Sequence, residues 1–153
     1  MPKNREHRLV IATDGSPGAR EALETGLALA RESGAFVTFV YVRHGPSSML
    51  GSPLYQRSLS EEMQHARSAL AEAEELALEV GVESEAEIVE GHPAERVIEL
   101  AAARDADLIV VGSRGRGGIA GALLGSVSTE LVQKADRPVL VCKQRSGARS
   151  RAA

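Results

Sequence analysis

Residues 112–128, GSRGRGGIAGALLGSVS, hold six of the chain's fifteen glycines, two arginines and a closing serine pair, directly behind the apolar run Leu108, Ile109, Val110 and Val111. Such a stretch suits an anion. Glycines between a strand and a helix let successive backbone N–H groups converge on one phosphate, and the start of the following helix adds its positive dipole end. The same glycines also suit a flexible surface loop, or close helix packing at Gly121 and Gly125. The lysine-dependent phosphate loop, GxxxxGK[ST], is excluded because no lysine lies between Lys3 and Lys134. Gly115, Gly117 and Ala120 do match GxGxxA. That match is a weak dinucleotide signal, because it follows a late strand and no ribose-binding acid ends the strand after it.

Side chains suited to catalysis are sparse. His7, His44, His65 and His92 are scattered, without metal-ligand spacing, and no GxSxG nucleophile pattern is present. The single cysteine, Cys142, has no internal disulfide partner and sits in an apolar run, where it reads as a small buried residue.

The elements that must position these residues follow from the apolar period. Residues 8–13, 36–42, 107–111 and 138–142 are short β-branched runs, as expected of strands covered on both faces, and 85–89 is a fifth, weaker candidate. Between the first two runs, Ala19, Ala22, Leu23, Gly26, Leu27 and Ala30 recur at helical spacing, with Ser16 as N-cap, Pro17 at the first helical position and Gly34 as the stop. A second helix is expected over 60–80, ended by Gly81, with its glutamates mainly on a solvated face. Pro93 starts a third and residues 126–135 form a fourth. Strict alternation of strand and helix implies an α/β fold with a parallel, doubly wound sheet and helices on both faces. Ligands bind such sheets beyond the carboxyl ends of the strands, which points to residues 12–16 and to the glycine stretch. Residues 43–57, rich in Gly, Pro and Ser, are expected to be an excursion over the same edge, as a lid or as a mobile connection.

Composition narrows the classes of function. A chain of 153 residues forms one domain that buries roughly 70% of its unfolded surface. A net charge of −3 and 3% aromatic residues argue against nucleic acid as a partner, and no apolar stretch is long enough to span a bilayer. Nothing resembles a signal peptide, so a cytoplasmic protein with no membrane partner is expected. Residues 1–143 are assigned to the domain, and 144–153, basic and without apolar period, to a disordered tail.

Gly112, two residues, Gly115, nine residues and then Gly125 and Ser126 make the pattern G-x2-G-x9-G-[ST], which resembles the nucleotide-binding branch of the universal stress protein family. The resemblance extends over residues 7–143 through ATDGS, HPAERVIELA, ADLIVVGSRGRGG and ADRPVLVCK. It implies a five-stranded sheet in the order 3-2-1-4-5 and a site for ATP, ADP or AMP. By that resemblance Asp14 is the acid near ribose and adenine, Ala12 and Thr13 are backbone neighbours, and Val42 meets the adenine edge. The resemblance gives Gly112 and Gly115 as the backbone approach to ribose and phosphate, with Val111, Ser113 and Gly117 beside them in the site, while the side chains of Arg114 and Arg116 suit either phosphate oxygens or water. Gly125, Ser126, Val127 and Ser128 form the phosphate-binding helix start. Ser126, as N-cap, would also contribute about 1 kcal/mol without any ligand. Any magnesium is expected to be held mainly by the phosphates, with no protein metal site.

The implied function is an ATP-binding stress sensor or regulator. A slow ATP hydrolase, an autophosphorylating protein and a binder of AMP or cyclic AMP remain alternatives. A homodimer through strand 138–142 is expected from the resemblance and from the apolar edge that the order 3-2-1-4-5 leaves open.

Overall fold

The structure, a computed structural model, describes residues 5–45, 51–114 and 124–144. Five strands, β1 (Arg8–Ala12), β2 (Phe36–Arg43), β3 (Ser84–Glu90), β4 (Leu108–Gly112) and β5 (Val139–Cys142), alternate with four helices, α1 (Pro17–Ser33), α2 (Ser52–Glu79), α3 (Pro93–Ala103) and α4 (Ser126–Lys134). All pairings are parallel, in the order β3-β2-β1-β4-β5. The doubly wound α/β class and the strand order are as expected.

Alternation of side chains across the sheet builds two cores. Leu9, Ile11, Val37, Phe39 and Val110 pack with α1 and α2, whereas Val10, Val40, Ile109 and Val111 pack with α3 and α4. The chain therefore switches faces where β4 is laid beside β1. Register at that junction pairs Leu9 with Leu108 and Ile11 with Val110. Both strands consequently release their carboxyl ends at the same edge.

The caps of α1 follow the local chemistry. Ser16 Oγ accepts from the Ala19 N–H at 3.2 Å, Pro17 begins the helix, and Gly34 ends it in the left-handed region at φ 68°. Two other expectations are corrected. Helix α2 begins at Ser52, so 52–57 are not part of an excursion; Pro53 lies in its first turn, where a missing N–H costs nothing. The cap of α4 is Gly125 rather than Ser126, because Gly125 is still extended (φ −76°, ψ 171°) and helical geometry starts at Ser126. The remainder of the lid expectation, at 46–50, and most of the tail lie outside the described residues.

The weakest strand candidate becomes the β3 edge, half-buried throughout most of its length. Its charges are occupied: Arg104 Nε donates to Glu85 Oε1 at 2.7 Å, Arg104 also pairs with Glu87, and Thr38 Oγ1 donates to Glu85. Charged residues on an edge strand discourage further pairing. At the opposite edge β5 has only β4 as a strand partner among the described residues.

Candidate functional site

The exit of β1 turns sharply into α1. Thr13 remains on the sheet ladder, donating its N–H to the Val40 carbonyl at 2.9 Å, while its Oγ1 accepts from the Gly15 N–H at 3.3 Å. Asp14 Oδ1 accepts from the Ser16 N–H at 2.9 Å, an Asx turn that orients the carboxylate at the strand end. Gly15 adopts φ 76°, a conformation that side chains rarely take.

The exit of β4 lies against this turn. A Cβ on Gly112 would stand 2.6 Å from the Gly18 carbonyl oxygen, and one on Gly18 would stand 2.2 Å from that of Arg114. Only two bare backbones can approach so closely. Ser113 is buried, and its N–H donates to the Cys142 carbonyl at 2.8 Å, continuing the ladder onto β5. Its carbonyl in turn accepts the Gly125 N–H and, at 3.1 Å, the Ser128 hydroxyl. The hydroxyl also reaches the Gly125 carbonyl at 3.1 Å. Ser128 is 1% exposed, so its hydroxyl ties β4 to α4 from inside the protein.

Three segments thus converge, 12–16 with the distant pair 112–114 and 125–128. Ala12, Val42, Val111 and Val127 all belong to the α3/α4 side of the sheet, giving that side of the edge an apolar lining. Asp14 is half-buried and Arg114 exposed. Ser126, at the first helical position, is exposed as well. Gly115, Arg116 and Gly117 lie outside the described residues. The first N–H groups of α4, those of Ser126, Val127 and Ser128, have no partner within the helix by its geometry. A carboxylate acceptor, an apolar lining and a helix start suit a ligand with a sugar, a flat ring and an anionic group. Among the described residues no cluster of His, Cys, Asp and Glu could hold a metal ion.

A profile of the Universal stress protein family matches residues 6–143. The chain belongs to that family. A universal stress protein of Methanocaldococcus jannaschii is 37% identical over 148 residues, covering 93% of this chain and 85% of the relative. A universal stress protein crystallised with cAMP aligns with TM-score 0.68 and 28% identity, covering 92% of this chain and 98% of its own. The universal stress protein from Archaeoglobus fulgidus in complex with dAMP gives TM-score 0.68 and 25% identity, covering 90% and 98%.

In this universal stress protein some residues at the edge carry no sequence signal. His65, from the middle of α2, places Nε2 3.0 Å from the Asp14 carbonyl oxygen, and Glu62 accepts from the Gly45 N–H at 3.4 Å. The close approach of Gly18 to the β4 exit carries no signal in the sequence either. Each contact spans elements far apart in sequence, so a local period cannot reveal it. His92, at the start of α3, lies 2.5 Å from Glu130 Oε2 on α4 and joins those two helices. That bond, with the one from Lys134, holds the Glu130 carboxyl below the usual glutamate range. A separate groove of about 520 Å³ lies between α1 and α2, lined by Leu27, Ala28, Leu76 and Val80 with Glu24, Arg31 and Glu32. It sits at the far ends of those helices, away from the strand exits, and its apolar floor offers little to an anion. Among the described residues no helix is long and apolar enough to cross a membrane.

Proposed function

We propose that this chain binds an adenine nucleotide, ATP foremost, at the carboxyl edge of β1 and β4, and acts as a nucleotide-responsive regulator in a stress response. The observation that carries the reading is the convergence of Asp14, Gly112 and the Gly125–Ser126 helix start at the point where the chain changes faces of the sheet. Asp14 would accept hydrogen bonds from ribose hydroxyls, and Val42 would lie beside the base. The N–H groups opening α4 would meet the phosphates, and the sequence pattern adds Gly115 and Gly117, outside the described residues, as candidates for the same role. The relatives solved with cAMP and dAMP support the adenine ring and the sugar as the common features recognised. A bound nucleotide would bring magnesium on its phosphates, neutralising their charge.

Titration calorimetry with ATP, ADP, AMP and cAMP tests the reading. ATP binding is expected, and Asp14→Ala should weaken ATP and ADP by the same factor, about tenfold, because the contact is to the sugar they share. No binding of any of the four at millimolar concentration would overturn it.

The same reading includes a homodimer formed antiparallel through β5, whose outer edge would pair with a second copy about a twofold axis. Leu140 packs toward α1 while Val139 and Val141 pack toward α3 and α4, so the backbone edge is what the strand offers. Light scattering at tens of micromolar is expected to give the dimer mass, and a monomer would refute this part alone.

A further inference from the structure

The peptide that follows Asp14 is held from outside its own loop. The Asp14 carbonyl oxygen can only accept, so His65 Nε2, 3.0 Å away, carries the proton and donates. The imidazole is itself fixed: its ring stands edge-on to Tyr41, with centroids 5.7 Å apart and planes at 73°. It also closes over Gly15, where an added Cβ would come within 3.2 Å of both His65 Nε2 and the Ala69 Cβ. One helical turn earlier, Glu62 accepts from the Gly45 N–H. Helix α2 therefore braces the exits of β1 and β2 together.

We propose that His65 is a positioning residue for the nucleotide, acting through the Asp14–Gly15 peptide. This rests on the reading of the edge as an adenine-nucleotide site. Gly15, at φ 76°, is the joint of the turn, and glycine there leaves the flanking peptide free to swivel unless something holds it. Among the bonds that restrain Asp14 are the Ser16 N–H on its carboxylate and the His65 N–H on its carbonyl. With both in place the carboxylate is aimed before the ligand arrives, so the ordering cost is not charged to binding. Without the His65 donor the turn samples more orientations, and every nucleotide that uses Asp14 binds more weakly.

The test compares His65→Phe, which keeps a ring beside Tyr41 but has no donor, with His65→Gln, which returns an amide N–H near the position of Nε2. His65→Phe is expected to weaken ATP binding about five- to tenfold, as the loss of one oriented hydrogen bond. It should also shift the Gly15 amide nitrogen resonance in the nucleotide-free protein. His65→Gln should stay within about threefold of wild type, and in an Asp14→Ala background His65→Phe should cost almost nothing more, since coupled groups are not additive. Thermal unfolding identifies any variant that has lost its fold; if His65→Phe has, rescue by His65→Gln and the Gly15 resonance decide. Wild-type affinity in folded His65→Phe, absence of rescue by His65→Gln, or full additivity with Asp14→Ala would each overturn the positioning role. A wild-type protein that binds no adenine nucleotide overturns the site reading itself, and the role with it.

Discussion

The Ser128 hydroxyl donates to the Ser113 carbonyl across 3.1 Å, joining the second residue beyond the first position of α4 to the exit of β4. The bond lies in the interior, where hydrogen bonds left unmade are expensive. Ser128→Ala is expected to lower stability by about 1–2 kcal/mol and the melting temperature by about 2–6 °C. Urea and thermal unfolding check it, and an unchanged midpoint would contradict the bond's contribution.

Gly18 faces the Arg114 carbonyl so closely that no side chain fits. In most helices a change from glycine to alanine stabilises by up to about 1 kcal/mol through propensity. Here the sign reverses. Gly18→Ala forces α1 away from the β4 exit and is expected to cost about 1–3 kcal/mol. Gly34→Ala is no control, since its φ is positive, whereas an added Cβ on Gly51 meets nothing within 4 Å among the described residues, so Gly51→Ala should be tolerated far better. Denaturant unfolding of the two variants decides, and equal stability would refute the close packing.

Cys142 is 7% exposed, and burial pushes its thiol up, against a smaller lowering by a hydrogen bond with Thr25. A raised thiol pKa leaves less thiolate at neutral pH, and the thiolate is the nucleophile. Alkylation by iodoacetamide is expected to be at least about tenfold slower than for free cysteine, and to become fast in urea. Rapid labelling of the folded protein would show that the thiol is accessible after all.

Glu130 is held below its ordinary range, first by the hydrogen bond with His92 and then by that with Lys134. A carboxyl lowered by folding contributes stability above the ordinary glutamate range, and the contribution is lost as pH falls through the lowered value. The α3–α4 contact should therefore loosen on acidification, and Glu130→Gln should remove that part of the acid sensitivity. Amide exchange in α4, followed from neutral to acidic pH, measures it; identical acid profiles for the two proteins would rule it out.

Local chemistry made much of this protein legible in sequence. The short β-branched runs RLVIA, FVTFVYV and LIVV have the form of strands buried on both faces, and Ser16, Pro17 and Gly34 bracket α1 because capping depends on residues within a single turn. The G-x2-G-x9-G-[ST] spacing was legible for the same reason: it belongs to one strand–loop–helix unit. What only the tertiary structure decided is which residues meet across units. His65 finds Asp14 across 51 positions because α2 packs on the same face of the sheet as α1, and Gly18 finds Arg114 because strands β1 and β4 become neighbours when the chain reverses over the sheet. The cap of α4 moves to Gly125 because the Ser113 carbonyl, on another element, takes the Gly125 N–H and the Ser128 hydroxyl. Periodicity reports which side of an element is apolar; the partner on that side is chosen by the packing of all the elements at once.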